Sequence, residues 1–344
     1  MSVSDFEPTT LEECIDALGY VRDLANVRDD WIKIGNALKS EFGDLAFDAW
    51  CDWSSNYPKF KATEARVVWK SFKFGKNSLG YLFKRAIGSG YSRQKREFTA
   101  EEKQRFAVER ATRMEAIAAQ AEIDEREELR WHAEIARISC EILTHTKAVG
   151  SSVYLGKKRV SAFGVRFPVE PMLVLIDEEK AWLVVGDIKD GFAAAKKNGW
   201  SVRFIKPGDV LVPLRDAAGA VWNVQIINKG GKKLFLKHGR KAGLFHLIGE
   251  PPVGSSALCI AEGYSTAASV HMANHWPVVV AVDCNNLPPV AVTVRGMFPD
   301  AVMIICADDD RETEGNPGLS KATEAAALVG AAVCIPNFDG VARG

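Results

Sequence analysis

No run of apolar residues approaches the roughly 18 to 20 that a membrane-spanning helix needs, and the opening MSVSDFEPTT lacks the basic-then-apolar order of a secretory signal. Both absences lead to the expectation of a cytoplasmic protein with no membrane partner. Cysteine is sparse and dispersed: there are seven, none in a C-x-x-C pair and none at ligand spacing from histidine, so no zinc site is expected. Cys259, Cys306 and Cys334 fall in apolar runs and read as buried, reduced thiols. Net charge is absent too, with 44 Lys and Arg against 44 Asp and Glu, which argues against a protein coated in basic surface.

The balance conceals a separation. Residues 147–245 carry 18 Lys and Arg against 8 Asp and Glu, whereas 250–344 carry 4 against 11. A basic middle beside an acidic end is the pattern of a polyanion-binding surface next to a metal site.

A length of 344 residues suggests two or three domains, and the hydrophobic periods divide the chain into four stretches. Residues 1–93 read as a small helical bundle, with DDWIKIGNALKSEF placing Trp31, Ile34, Leu38 and Phe42 on one face behind an Asp N-cap, and Trp50, Trp53, Trp69 and Phe72 as core anchors. Residues 94–144 form a charged, Ala-rich connecting helix unbroken by Gly or Pro from Phe98 onward. Residues 145–250 change period: MLVLID, AWLVVGD, WSVRFI and DVLVPLRDAAGAVWNVQIINKGGKKLFL alternate between turn signals and make a mixed, β-rich basic subdomain. Residues 251–344 alternate short apolar runs with helices, which implies an α/β domain with a parallel sheet covered on both faces. The expected class is therefore multi-domain, α+β followed by α/β.

Ligands of such sheets gather at the carboxyl ends of the strands, and Glu262, Asp283 and Asp308 all fall there. ALCIAEG delivers Glu262 at a strand end and follows it with Gly263, which permits a tight turn into a helix. ICADDDRE delivers Asp308, Asp309 and Asp310, and continued strand geometry would point Asp308 and Asp310 the same way, with Asp309 elsewhere. Carboxylates from two strands suit Mg2+, which keeps its other positions for water and phosphate oxygens; Mn2+ could substitute. Upstream, Lys232, Lys233, Lys237, Arg240 and Lys241 lie within ten residues and could neutralise several phosphates. Lys232 and Arg215 fit solvated turn charge equally well, and Asp283, with Asn285 and Asn286, fits either a loop beside the site or a plain turn. Phe245 and His246 read as core.

The stretch from about 257 to 338 resembles the TOPRIM domain of bacterial-type primases, topoisomerases and some nucleases. AEGYSTAAS is similar to the glutamate motif of the primases and CADDDRETEGNPG to their DxD motif. The resemblance implies that Glu262 is a catalytic or metal-organising residue and that Asp308 and Asp310 ligate magnesium, with Asp309 in the intervening place. VLVPLRDAAGAVWNVQIINKGGKKLFLKHGRKAGLFHLIG is similar to the segment that precedes TOPRIM in the phage and conjugative-plasmid branch. By motif position, Lys233 matches the Lys of the strand after the hairpin, and Arg240 and Lys241 the basic turn. DDWIKIGNALKSEFGDLAFDAWCDWSS, with VVWKSFK and SLGYLFKRA, resembles the PriCT-type helical domain found beside primase catalytic domains.

These likenesses imply a DNA primase of phage or plasmid replication that binds single-stranded DNA and joins nucleoside triphosphates into short primers. GSSVYLGKK is not a G-x-x-x-x-G-K-[ST] loop, so unwinding would call for a separate helicase. For the family's downstream acidic pair the sequence offers only Asp339, so either the chain is a truncated fragment or that element is absent; this keeps open an inactive replication accessory protein that binds single-stranded DNA, and a TOPRIM nuclease, with similar acids activating water, is the other reading.

Overall fold

A computed structural model describes residues 8–72, 75, 77–93, 98–309, 313 and 315–336. The chain divides into two compact units, Met1–Glu127 and Glu128–Gly344.

The first unit is built from α1 (Leu11–Gly19), α2 (Arg28–Phe42), α3 (Phe47–Ser54), α4 (Ala62–Ser71) and α5 (Leu79–Gly88). Thr10 and Glu13 close a reciprocal capping box at the start of α1. The Asp N-cap expected for α2 is not what the helix uses. Val27 holds that place, and Asp29 and Asp30 fall in the first turn, where they complement the helix dipole. Asp30 is buried, accepts from the Tyr81 hydroxyl and pairs with Arg85 at 2.9 Å. The tryptophans are core: Trp50 stacks on Trp31 with centroids 4.5 Å apart and lies 5.2 Å from Trp69. Their indole N–H groups are satisfied inside the bundle, Trp31 by Ser54, Trp53 by the Val21 carbonyl and Trp69 by Asp44, so little of these rings is left for a ligand. Gly35 permits this packing, since a Cβ there would stand 2.6 Å from both Trp50 and Phe72.

α6 (Ala100–Thr144) is a single helix of 45 residues. Thr99 and Glu102 cap it reciprocally, and pairs such as Glu122 with Arg126 and Arg137 with Glu141 line its exposed surface. Trp131, Ile135, Ile138 and Ile142, at helical spacing, bury its last turns in the second unit.

That unit continues through β1 (Thr146–Lys147), α7 (Val153–Lys158), β2 (Phe167–Pro168), β3 (Met172–Ile176), β4 (Ala181–Val185), α8 (Lys189–Asn198), β5 (Ser201–Ile205), β6 (Val210–Arg215), β7 (Val221–Ile227) and β8 (Lys233–Phe235). β3 is central in an antiparallel sheet of order β4-β3-β5. Its alternating residues divide between two cores: Met172, Val174 and Ile176 pack with α6, and Leu173 and Leu175 pack with Ala195 of α8. β6, β7 and β8 form a meander. Its first turn is held by Asp216, which accepts from the amides of Ala218 and Ala220. Its second is held by Asn228, which accepts from Gly230 and Lys232.

Then come β9 (His246–Ile248), β10 (Ala257–Ala261), α9 (Tyr264–Asn274), β11 (Val278–Val280), α10 (Leu287–Met297), β12 (Val302–Cys306), α11 (Pro317–Val329) and β13 (Ala332–Cys334). Their sheet has the order β13-β12-β10-β11-β9, parallel except for β9, which adds antiparallel to β11. One face packs against α9 and the other against α10 and α11. Phe245 and His246 are buried, and the edge strand β9 comes from the stretch assigned to the preceding subdomain. Tyr154, Val210, Val212 and Ile227 share one core with Cys259, Ala261, Tyr264 and Ala267, so 145–250 and the α/β sheet are fused through their interiors. Cys259 and Cys306 are buried, but Cys334, expected to be buried, is exposed because β13 is an edge strand. No helix among the described residues is long and apolar enough to cross a membrane.

Candidate metal and phosphate site

β10 and β12 are adjacent and parallel, with Ala261 opposite Cys306, so Glu262 and Asp308 emerge side by side at the carboxyl end of the sheet. Both are half-buried. Gly263 starts α9, whose first turn carries Thr266, and the Thr266 hydroxyl lies 3.4 Å from Asp308 Oδ1 as donor. The two carboxylates are thus tied to one turn. The Glu262 charge also reaches the Cys284 thiol, which burial first and then Glu262 and Asp283 push up. The Cys306 thiol is likewise pushed up, by its hydrogen bond with Cys259, by burial and further by Asp308.

Strand pairing in β12 ends at Ala307, whose amide donates to the Cys334 carbonyl. The alternation that would set Asp308 against Asp309 therefore stops short of them. Asp309 accepts from the Asn316 side chain at 2.8 Å, which draws it toward the start of α11. Asp310 and Asp339 lie outside the described residues. Among the described residues, no three His, Cys, Asp or Glu side chains stand together as a metal cluster. Glu262 and Asp308 supply hard oxygen donors on neighbouring strand ends, a donor chemistry that fits Mg2+ and leaves room for its water and phosphate ligands.

Lys233, first residue of β8, reaches this end of the sheet: a Cβ added to Gly263 would stand 3.2 Å from its Nζ. Lys241 pairs with Asp283 at 2.5 Å, and its Nζ lies 5.4 Å from the centroid of the Phe235 ring. Asp283 also accepts from the Asn286 amide at 3.1 Å. Arg240 lies 5.1 Å over the Trp222 ring, whose indole N–H donates to Asp216. Lys237 is exposed in the same turn. Arg215 is turned back on its own hairpin, donating to the Gly219 carbonyl at 2.7 Å.

Three supports hold the Asp283 loop, and two of them, Val282 and Gln225, were not anticipated from the sequence. Asn286 donates to the Leu244 and Ala281 carbonyls and accepts from the Gly243 amide, stitching the basic turn to the end of β11. Val282, buried and β-branched, is held at φ 69°, in the left-handed region. Gln225, buried in β7, donates to the Val282 carbonyl at 3.3 Å. The loop that presents Asp283 is therefore fixed from the basic subdomain. Asn286 belongs to the stretch that the sequence singles out with Asp283; nothing local marks Gln225 or Val282.

Residues 11–86, within the helices of the first unit, match the model of the primase C-terminal 2 (PriCT-2) family. Among individual proteins, the chain is similar to a DNA primase TraC of Escherichia coli, 43% identical over 133 residues, which are 37% of this chain and 12% of that protein. A second Escherichia coli DNA primase TraC is 42% identical over 133 residues, 37% of this chain and 9% of that one. The match thus spans only about a tenth of these relatives' length. A solved DnaG primase catalytic domain bound to single-stranded DNA shares 15% identity, covering 58% of this chain and 68% of its own, with a TM-score of 0.33.

Proposed function

We propose that this protein is a DNA primase of the phage or conjugative-plasmid type, making short primers on single-stranded DNA by magnesium-dependent nucleotidyl transfer. The carrying observation is the meeting of Glu262, Asp308 and Lys233 at one end of the sheet: two carboxylates on adjacent strand ends, with a lysine delivered from the basic meander. Glu262 and Asp308, with Asp310, would hold the ion, which when bound stabilises charge on the attacking and leaving oxygens of phosphoryl transfer. Lys233 would hold a phosphate against the Glu262–Gly263 turn, and Arg240 and Lys241 would bind phosphates of template or nucleotide along the adjoining turn. Asp283 serves this arrangement by fixing Lys241.

The direct test incubates the protein with single-stranded DNA, Mg2+ and labelled ribonucleotides, beside Glu262→Gln and Asp308→Ala. Primers made by the wild type should fall at least about 100-fold in either variant, a loss of roughly 2.7 kcal/mol of transition-state stabilisation. DNA shortened without nucleotide incorporation identifies a nuclease, and DNA bound with neither product identifies an accessory binding protein. Either result refutes the primase assignment.

A further inference from the structure

Apart from the phosphate site lies a second basic surface, on the sheet of β3, β4 and β5 with α8. Two phenylalanines stand on it: Phe192 of α8 is 40% exposed and Phe204 of β5 is 38% exposed. Their rings meet edge to face with centroids 5.6 Å apart. Neither belongs to the core between α8 and the sheet, which Leu173, Leu175 and Ala195 fill with Trp182 and Trp200 against them. Single exposed apolar residues are ordinary on protein surfaces. Two in mutual contact, ringed mainly by lysines, are not.

The ring is basic. Lys189, Phe192 and Lys196 are spaced by three and four residues along α8 and so share one face of that helix. Lys206 follows β5, and its Nζ lies 5.8 Å from the Phe204 centroid. All three lysines are exposed, and among the described residues none forms an ion pair with a carboxylate. The acids closest in sequence are Asp187, whose carboxylate accepts from the Lys189 backbone amide at 3.3 Å, Asp190 in the first turn of α8, both exposed, and Asp209, which is buried and whose carboxyl burial pushes up. β5 is an edge strand, and Arg203 within it donates to the Phe235 carbonyl of β8, the strand that carries Lys233 to the carboxylates. Arg203 lies on the opposite face of the sheet from Phe204, and its bond ties the edge strand that carries the platform to β8.

We infer that Phe192 and Phe204, with Lys189, Lys196 and Lys206, form a docking platform for single-stranded nucleic acid. Bases stack on the exposed rings, and the lysines neutralise the phosphates between them. Aromatic rings among unpaired lysines fit this ligand better than they fit a protein, whose interface cores are depleted in lysine. The absence of a hydrogen-bonding group on either ring means that bases are gripped without regard to sequence. The platform extends the proposed function, because it would hold template leading to or from the acidic site, and to that extent it rests on that reading.

The test measures binding of a fluorescent oligo-dT strand to the full chain by anisotropy over a salt series. Phe192→Ala/Phe204→Ala should weaken binding about tenfold at one salt concentration with the salt slope unchanged, and the deficit should vanish on an abasic strand of equal length. Lys189→Gln/Lys196→Gln/Lys206→Gln should lower the slope of log K against log salt by about 2, near 0.7 for each phosphate released. Lys59→Gln/Lys70→Gln/Lys84→Gln, which removes the same charge from exposed sites of the helical unit, should leave it unchanged. The platform is overturned if the first two variants bind like the wild type, or if the third loses as much slope as the second. Should the phenylalanine pair prove necessary for folding, seen as a lowered melting temperature, the lysine variant decides alone. A wild type that binds no single-stranded DNA sinks the platform and the primase reading together, whereas normal binding by the variants sinks the platform only.

Discussion

The φ of Gly263, −104°, is open to any residue, so the need for glycine there comes from what surrounds it. An added methyl would stand 3.2 Å from Lys233 Nζ, at the free end of a flexible side chain, and would displace that ammonium without disturbing the backbone. Gly263→Ala should therefore change unfolding free energy by no more than about 0.5 kcal/mol while weakening nucleotide binding severalfold, measured by chemical denaturation beside titration with a labelled nucleoside triphosphate. Equal losses in both would show that the glycine serves only the fold. Glu262 could be picked out in the sequence because it belongs to a local pattern, a strand ending in Glu-Gly, and Lys233 by its basic cluster together with its place in the resembled motif. Thr266, Gln225 and Val282 could not, since their roles are set by partners 42 or 57 residues away. The left-handed backbone of Val282, worth about 1–3 kcal/mol of strain, carries no sequence signal, because valine is among the residues least expected there.

Among the elements, the turn from Lys237 to Lys241 owes its shape to Gly239, which lies against two other segments. A Cβ there would come within 2.3 Å of Asn223 Nδ2 and 2.8 Å of Ile135 Cγ2. Neither neighbour has room to retreat: both are fully buried, and Asn223 donates to the Arg240 carbonyl. Gly239→Ala is expected to cost about 1–3 kcal/mol of stability, read as a lowered urea midpoint, and to weaken DNA binding because Arg240 and Lys241 are displaced with the turn. Overpacking without any change in binding would separate the turn's shape from its charge. Most strands were legible, since β3 to β7 and β10 to β13 show alternation or short apolar runs between turn signals. β9 was not: His246–Ile248 is three residues long, and it becomes a strand only because the edge of β11 is there to pair with it. The reach of β12 was overstated in the sequence for the converse reason, as its pairing partner β13 ends at Cys334.

For the whole molecule, the four tryptophans of the first unit, Trp31, Trp50, Trp53 and Trp69, lie in or against a core made only of residues between 11 and 91. A fragment of residues 1–127 should therefore fold alone and melt in one cooperative transition followed by tryptophan emission, with the same midpoint whether or not Asp308 is replaced in the full chain. A fragment lacking cooperative melting would show that its core depends on the second unit. The charge segregation behind a net of zero was legible by counting along the chain. The fusion of the basic meander to the acidic sheet was not, because it depends on which faces of Tyr154, Val212, Ala261 and Tyr264 meet. That shared interior has a consequence for turnover. With lysines and carboxylates mounted on one block, the gap between them is a fixed gauge, so under the proposed function a nucleic-acid strand would have to advance through it, without the protein opening and closing around it.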